Sequence, residues 1–214
     1  MKKSIIAGLP LLALLACNSD ENTVNTVGKE APQTATTTAK KLFIDVHDLE
    51  PGKVKYEDVM GAHKKDLAVE GKHGVHFMKF WVDEQQGKVY CLSTADNADS
   101  VYNTHKEAHG LVPTGTFEVT EGQEAVAIGN KPLFLDVHEL GAGNVTAAAV
   151  AEAHIKDLAV QKQYGVNLIN YWVDEKQGLV MCLAEAADSS DLVKTHREAH
   201  GLLPSRVVKV KQGE

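Results

Sequence analysis

Four histidines and one cysteine occur twice in this chain at a constant separation of 91 residues: His47/His138, His63/His154, His105/His196, His109/His200 and Cys91/Cys182. Imidazole nitrogen and thiolate sulfur make a soft-to-borderline donor set, suited to nickel, copper or zinc rather than to magnesium or calcium. His105 and His109 stand i, i+4 in a helical stretch, a spacing that lets two imidazoles converge on one ion. His63 falls within an apolar stripe, where an imidazole needs a partner. Each feature has a structural reading beside the chemical one. An i, i+4 histidine pair is common, a stripe histidine is more often a hydrogen-bonded core residue, and a strand cysteine is usually a small apolar filler. Retention of all five in both copies strengthens the metal reading, although a shared packing solution would be retained as well. His73 and His76 are replaced at the offset by Tyr164 and Asn167 and read as surface residues.

Catalytic templates fit poorly. No Gly-x-Ser-x-Gly, phosphate loop, His-Glu-x-x-His or Cys-x-x-Cys is present, so the chain is expected to be non-enzymatic. A Cys-His nucleophile pair, Cys91 with His63 or His105, is conceivable, but nothing supplies an oxyanion hole. Asp45 and His47 share one face of a strand, as do Asp136 and His138. Each pair could be a carboxylate-oriented metal ligand, a hydrogen bond closing an interface, or an acid–base couple.

The elements that must hold these residues repeat as well. Leu42-Phe43-Ile44-Asp45-Val46-His47 answers to Leu133-Phe134-Leu135-Asp136-Val137-His138, and Trp81-Val82-Asp83-Glu84 to Trp172-Val173-Asp174-Glu175. Thr104-His105-Lys106-Glu107-Ala108-His109-Gly110-Leu111 answers to Thr195-His196-Arg197-Glu198-Ala199-His200-Gly201-Leu202. This is a tandem duplication, with repeats at 41–121 and 132–212. In the first, the pattern predicts a strand at Lys41–His47. A helix follows from about Lys55 to Gly71, with Tyr56, Val59, Met60, His63 and Leu67 as its stripe. Gly74 stops it before a strand at Val75–Asp83. A tight turn leads to a third strand at Lys88–Ser93. Asp96 or Asn97 caps a second helix ending at Gly110, and a fourth strand lies near Thr116–Val119.

The fold class is therefore α+β: two ferredoxin-like βαββαβ repeats, packed sheet to sheet as a pseudo-dimeric α/β barrel. Leu42, Ile44 and Val46, uniformly aliphatic, are expected beneath the helices. Phe43, Asp45 and His47, with Trp81 and Asp83, are expected on the opposite, inter-repeat face. On that facing His47 forms a candidate site separate from His63, Cys91, His105 and His109. Both cysteines are expected to face their own helices, which argues against a Cys91–Cys182 disulfide. Lys64-Lys65-Asp66 reads as a solvated helix face.

The 214 residues carry 22 Lys+Arg against 29 Asp+Glu, a net of −7, which argues against a phosphate-backbone binder. Residues 1–17 have a basic start, an apolar run too short to span a bilayer, and Leu14-Leu15-Ala16-Cys17, which resembles a bacterial lipobox. The expectation is a signal peptide, lipidation at Cys17, and a flexible tether at 18–40. By resemblance to the sorting rules of Gram-negative lipoproteins, Asn18 after the cysteine implies anchorage at the outer membrane of the cell envelope, facing the periplasm or the surface.

The repeat resembles a family of small bacterial domains described as nickel-binding or nickel-responsive. The likeness lies in Phe43-Ile44-Asp45-Val46-His47, His63-Lys64-Lys65-Asp66-Leu67, Trp81-Val82-Asp83-Glu84, Val89-Tyr90-Cys91-Leu92 and His105 through Leu111, with their equivalents 91 residues later. It covers nearly all of both repeats. The resemblance implies a ferredoxin-like fold, self-association of such units, and binding of a transition metal, nickel by name. Members are often single-domain without a lipoprotein leader, so cytoplasmic nickel sensing is not carried over. The first expectation is thus an envelope-anchored lipoprotein that binds a divalent ion, nickel before zinc or copper, through His and Cys side chains. Second comes a barrel whose inter-repeat cavity holds a small organic molecule, and third an acid–base enzyme using His47/Asp45 and His138/Asp136. Further oligomerisation is compatible with all three.

Overall fold

The computed structural model describes residues 39–214, which fall in one compact unit. The expected signal peptide, Cys17 and nearly all of the tether lie outside the described residues. The first half contains β1 (Lys41–Asp48), α1 (Tyr56–Val69), β2 (His76–Asp83), β3 (Lys88–Ala95), α2 (Ala98–Ala108) and β4 (Gly115–Gln123). The second repeats that order as β5 (Leu133–Glu139), α3 (Ala147–Val160), β6 (Asn167–Asp174), β7 (Leu179–Glu185), α4 (Ser189–Ala199) and β8 (Arg206–Gly213). Among the described residues no helix is long and apolar enough to cross a membrane.

Local chemistry sets the element ends. Asn97 accepts the Ser100 N–H at 3.0 Å and starts α2, and Asp188, its equivalent, accepts from Ser190 at 2.9 Å to start α4. In the β2–β3 turn the Asp83 carboxylate accepts the N–H groups of Gln85 and Gln86 at 2.9 and 3.1 Å. Gly87 closes that turn at φ +70°, where a Cβ would lie 2.5 Å from the Leu49 carbonyl oxygen, so no side chain fits.

The eight strands close into one antiparallel barrel in the order β1-β3-β2-β8-β5-β7-β6-β4. The fourth strand of each repeat is shared. Gly115–Val119 pair with β1 of their own repeat, then Thr120–Gln123 pair with β6 of the other. Likewise Arg206–Val210 pair with β5, and Lys211–Gly213 with β2. This sharing extends β4 beyond the Thr116–Val119 that local pattern suggests, because the partner of its second half lies in the other repeat. At the crossing, a Cβ on Gly122 would lie 2.0 Å from the Tyr171 ring, and one on Gly213 would lie 2.2 Å from the Phe80 ring. Only glycine lets these aromatic rings lie across the shared strand.

The barrel interior is largely aliphatic: Ile44, Leu92, Val119, Leu135, Val137, Ile169, Leu183, Val208 and Val210 surround Trp81 and Trp172, whose rings are 5.1 Å apart. Each indole N–H is satisfied from a shared strand, Trp81 by Gln212 at 2.9 Å and Trp172 by Glu121 at 3.0 Å. The expected facing of β1 is therefore reversed. Leu42, Ile44 and Val46 point into the barrel with Trp81, while Phe43 packs with Val59 and Val101 in the layer under the helices. A closed barrel offers its interior no helix side chains and solvent only near its ends, so it takes the uniformly aliphatic face. The mixed face goes where the helices can supply polar partners. The stripe of α1 is also rotated. Asp66 is 3% exposed and Leu67 is 41% exposed, so the Lys64-Lys65-Asp66 stretch is not a solvated face throughout.

Candidate metal centres

The reversal of β1 brings every repeated histidine of the first half to the same side of the sheet. Asp45 and His47 on β1, Cys91 on β3, and His105 on α2 place one ligand atom each within 4.8 Å of one another, all buried. His47 is thus not a separate site, and its ring lies perpendicular to that of His105 with centroids 4.8 Å apart. A second group, Asp66, His105 and His109, shares His105. His105 Nε2 sits 3.2 Å from Asp45 Oδ2, and its Nδ1 sits 3.0 Å from Asp66 Oδ1. His47 Nε2 reaches the same Asp45 oxygen at 3.0 Å. A continuous Asp66–His105–Asp45–His47 chain results.

Charge follows from this geometry. Burial lowers the pKa of His105, but the hydrogen bonds and charges of Asp45 and Asp66 outweigh it and raise the imidazole to about 9. The same bonds, against burial, hold Asp45 and Asp66 below the usual carboxylate range. His105 is therefore an imidazolium between two carboxylates at neutral pH. The Leu111 N–H donates to His109 Nδ1 at 3.1 Å, which leaves Nε2 to carry the proton toward Asp66, 3.3 Å away. The i, i+4 pair does converge, with His105 Nδ1 and His109 Nε2 3.4 Å apart, but both nitrogens face Asp66.

His63 lines the same cavity as Cys91, His105 and His109. It is 3% exposed, and neither ring nitrogen has a hydrogen-bond partner. Burial lowers its pKa, so the ring is neutral and offers a lone pair. One Asp45 oxygen, Oδ1, is also buried and unpartnered. Burial, then the Asp45 and Asp66 charges, push the Cys91 thiol well up, so it is protonated.

The second half reproduces this layout with two changes, the first being that His196 lies outside the tight group that His105 joins in the first half. Asp136, His138 and Cys182 form one group, and Asp157, His196 and His200 another. His196 bridges Asp157 at 3.0 Å and Asp136 at 3.3 Å, and against burial these carboxylates raise it to about 10. Asp136 is held far below its usual value by His138 and His196 against burial. The Leu202 N–H fixes His200 as the Leu111 N–H fixes His109. The second change is at His154. Its Nε2 lies 3.3 Å from Cys182 Sγ, and its Nδ1 bonds Glu124 at 2.9 Å, a residue delivered by the end of the shared strand β4. Burial, then nearby carboxylates, raise the Cys182 thiol well up, so this Cys-His contact does not form a ready nucleophile.

A nickel-responsive protein family, described as SCO4226-like, matches residues 43–119 and again 134–210. The chain belongs to the SCO4226-like family. SCO4226 of Streptomyces coelicolor A3(2) is 36% identical over 36% of this chain and 93% of its own, with a TM-score of 0.34. A chlorite dismutase from Candidatus Nitrospira defluvii, solved as a mutant, is 7% identical over 83% of this chain and 93% of its own, at 0.49. An anthrone oxidase-like protein is 8% identical over 83% and 94%, at 0.43. A comparison with curated protein sequences returned no match. The expectation of a non-enzymatic chain is corrected: solved structures similar to this chain include a chlorite dismutase and an anthrone oxidase-like protein. Lack of a familiar catalytic motif does not exclude catalysis, and these neighbours assign no reaction to this chain.

The donor set fits a transition-metal ion. Each repeat gathers imidazole nitrogen, carboxylate oxygen and thiol sulfur under the helices, and leaves buried donor atoms unpartnered at Asp45 Oδ1, His63 and His138 Nδ1. His63 and His154 line the cavities without joining the tight groups. Cys91 and Cys182 are free and buried, facing their own helices as expected. Sequence reasoning missed Asp66 and Asp157 as site residues, although both recur as His-x-x-Asp, one helical turn after His63 and His154. It also missed Glu124, which sits in the connector where a repeat-to-repeat comparison has nothing to align.

Proposed function

We propose that each repeat of this SCO4226-like chain binds one divalent transition-metal ion, nickel first among the candidates, beneath its helices. In the first repeat Asp45, His47, Cys91 and His105 supply the donors, with His63 as a further imidazole and Asp66 and His109 holding His105. In the second, Asp136, His138, Cys182 and His196 do so, with His154, Asp157 and His200 in the matching roles. The observation that carries this reading is that two buried groups of the first repeat, the His63 ring and Asp45 Oδ1, have no hydrogen-bond partner. Two such groups left without protein partners are costly to bury, and an ion removes that cost. The bound ion would supply a concentrated positive charge that replaces the His105 and His196 protons. Binding must therefore release protons and strengthen as pH rises.

The tether and Cys17 complete the proposal: lipidation would hold the barrel at the cell envelope, outside the cytoplasm. Each repeat is a ferredoxin-like unit in this reading, and the chain is a covalent version of a paired-unit barrel. The acid–base reading keeps one specific observation in its favour, the unbroken Asp66–His105–Asp45–His47 chain.

Calorimetric titration of the chelator-stripped chain with Ni(II), Zn(II) and Cu(II) tests the proposal. Two saturable ions per chain are expected, falling to one in His105→Ala and to one in His196→Ala, each with proton release that scales with buffer ionisation heat. Binding no tighter than about 100 μM, which a surface histidine can supply, would remove the metal reading. Envelope anchoring is tested separately by detergent partitioning of cells expressing the chain or its Cys17→Ser variant.

A further inference from the structure

One end of the barrel is open, and it lies on the opposite side of the sheet from the histidines. There the ends of β1 and β5 and the starts of β3, β4, β7 and β8 enclose a cavity of about 520 Å³, within the range of small-molecule sites. Tyr90 lines this cavity, is 0% exposed, and has a hydroxyl with no hydrogen-bond partner. Arg206 lines it too. Its Nη1 is bound to Glu139, while its Nε is buried and unpartnered. Burial raises the Tyr90 phenol pKa, with Arg206 next to it pulling the other way, so the hydroxyl keeps its proton. Arg206 lies against the Tyr90 hydroxyl, so the two groups face each other, but the phenol proton and the Arg206 Nε–H still lack an acceptor, and Phe117, Leu179 and Met181 give an apolar wall beside them.

The duplication makes this arrangement informative. At the histidine centres the repeats keep the same histidine, aspartate and cysteine types at every equivalent position. At this mouth they do not: Tyr90 stands opposite Met181, Lys88 opposite Leu179, and Arg206 opposite Gly115 at the same 91-residue offset. At these three positions a polar residue of one repeat answers to an apolar one or a glycine of the other, which a symmetric packing solution does not require. Lys88 is neutralised by Asp48 as Arg206 is by Glu139, so the mouth carries no large net charge. Its unmet demand is specifically for an acceptor oxygen.

We propose that the open end of the barrel binds a small organic acid, with its carboxylate oxygens on Tyr90 Oη and Arg206 Nε and its apolar body against Phe117, Leu179 and Met181. The site is independent of the metal centres, since the sheet separates the two.

Methionine methyl NMR of the chain titrated with 2-naphthoate tests this, because three methionines report three places. Met181 lines the mouth, Met78 lines a separate cavity beside the Trp81–Trp172 pair, and Met60 packs under the helices. A saturable shift at Met181 with Met60 and Met78 unmoved is expected. Arg206→Gln should weaken it about tenfold, and Tyr90→Phe by about fivefold or more, as loss of a hydrogen bond to a charged group does. The cationic analogue 2-naphthylmethylamine should give no saturation. A shift confined to Met60 or Met78, equal affinity in Tyr90→Phe and Arg206→Gln, or no saturation up to about 10 mM would overturn the proposal.

Discussion

The two centres beneath the helices share their Asp-His-Asp frame and differ most at one histidine. His154 is held at both nitrogens, by Glu124 and by Cys182, and stacks on Tyr171 with ring centroids 4.1 Å apart. His63 is held at neither nitrogen, and it faces Phe80, which lacks the tyrosine hydroxyl. The cavities differ accordingly, about 80 Å³ in the first repeat and about 150 Å³ in the second. Duplication therefore preserved the charged frame and let the lone-pair donor drift in its support. The first centre keeps an unsatisfied imidazole ready for a ligand, and the second keeps one already engaged. The second repeat's histidine must give up existing bonds to reach an ion, so the first centre is expected to bind metal more tightly at neutral pH.

The largest expected effect concerns the seam, where both repeats place a tryptophan in the same bonding position and differ only in the acceptor, Gln212 or Glu121. Trp81 and Trp172 meet at the middle of the barrel, each 1% exposed and each tied to the equivalent residue of a shared strand. Trp81→Ala and Trp172→Ala should each cost about 3–5 kcal/mol in urea unfolding of the chelator-stripped chain, within about 1 kcal/mol of each other. A large inequality would mean that the seam is as asymmetric as the centres, and the contrast between them would disappear.

Next in size is the pH dependence of the frame itself. His105 at about 9 and His196 at about 10 lie above the usual imidazole value of 6.5. The folded chain thus holds protons that the unfolded chain has released, and each group contributes stability that is full below pH 6.5 and lost as pH rises through the folded value. The metal-free chain should lose on the order of 3 kcal/mol per centre between about pH 7 and 10, the first centre giving way before the second. Unfolding midpoints measured across that range for the native chain, His105→Gln and His196→Gln separate the two contributions. A flat profile would show that the carboxylate–imidazolium–carboxylate frame is not charged as its geometry requires.

The order of elements was readable because glycine stops, Asx caps and alternation are local, and each was seen twice. Gly74, Asn97 and the Asp83 turn all act within a few residues of themselves. What was not readable depended on partners far along the chain. The outer half of β4 has no strand signal of its own beyond pairing with β6, and Glu124 acquires a role only because that pairing carries it to the second repeat. Facing was misread for a related reason. Alternation in β1 separates aliphatic Leu42, Ile44 and Val46 from Phe43, Asp45 and His47, but does not say which side the helices cover. That single inversion split His47 from His105, though they are neighbours. Asp66 was hidden by its flanking lysines, since a one-residue rotation of the α1 stripe decides between Asp66 and Leu67. The repeated histidines themselves were legible, because the duplication filtered His73 and His76 from the rest.

The smallest expected effect is the one that bears most directly on the contrast. In the metal-free chain His154→Leu removes the partner of Glu124, whose other oxygen already has none, and leaves a buried carboxylate unpaired. That should cost about 1–3 kcal/mol. His63→Leu removes two unpartnered buried nitrogens from an apolar cavity and keeps the volume, so it should be neutral or stabilise by up to about 1 kcal/mol. Saturating nickel should reverse the order at the first centre, where His63→Leu then forfeits a donor and loses the stabilisation that ligand binding confers on the folded state. Paired urea titrations with and without the ion decide the matter. Equal losses for both variants in the stripped chain would mean that His63 is satisfied after all, and that the first centre has no special readiness for a ligand.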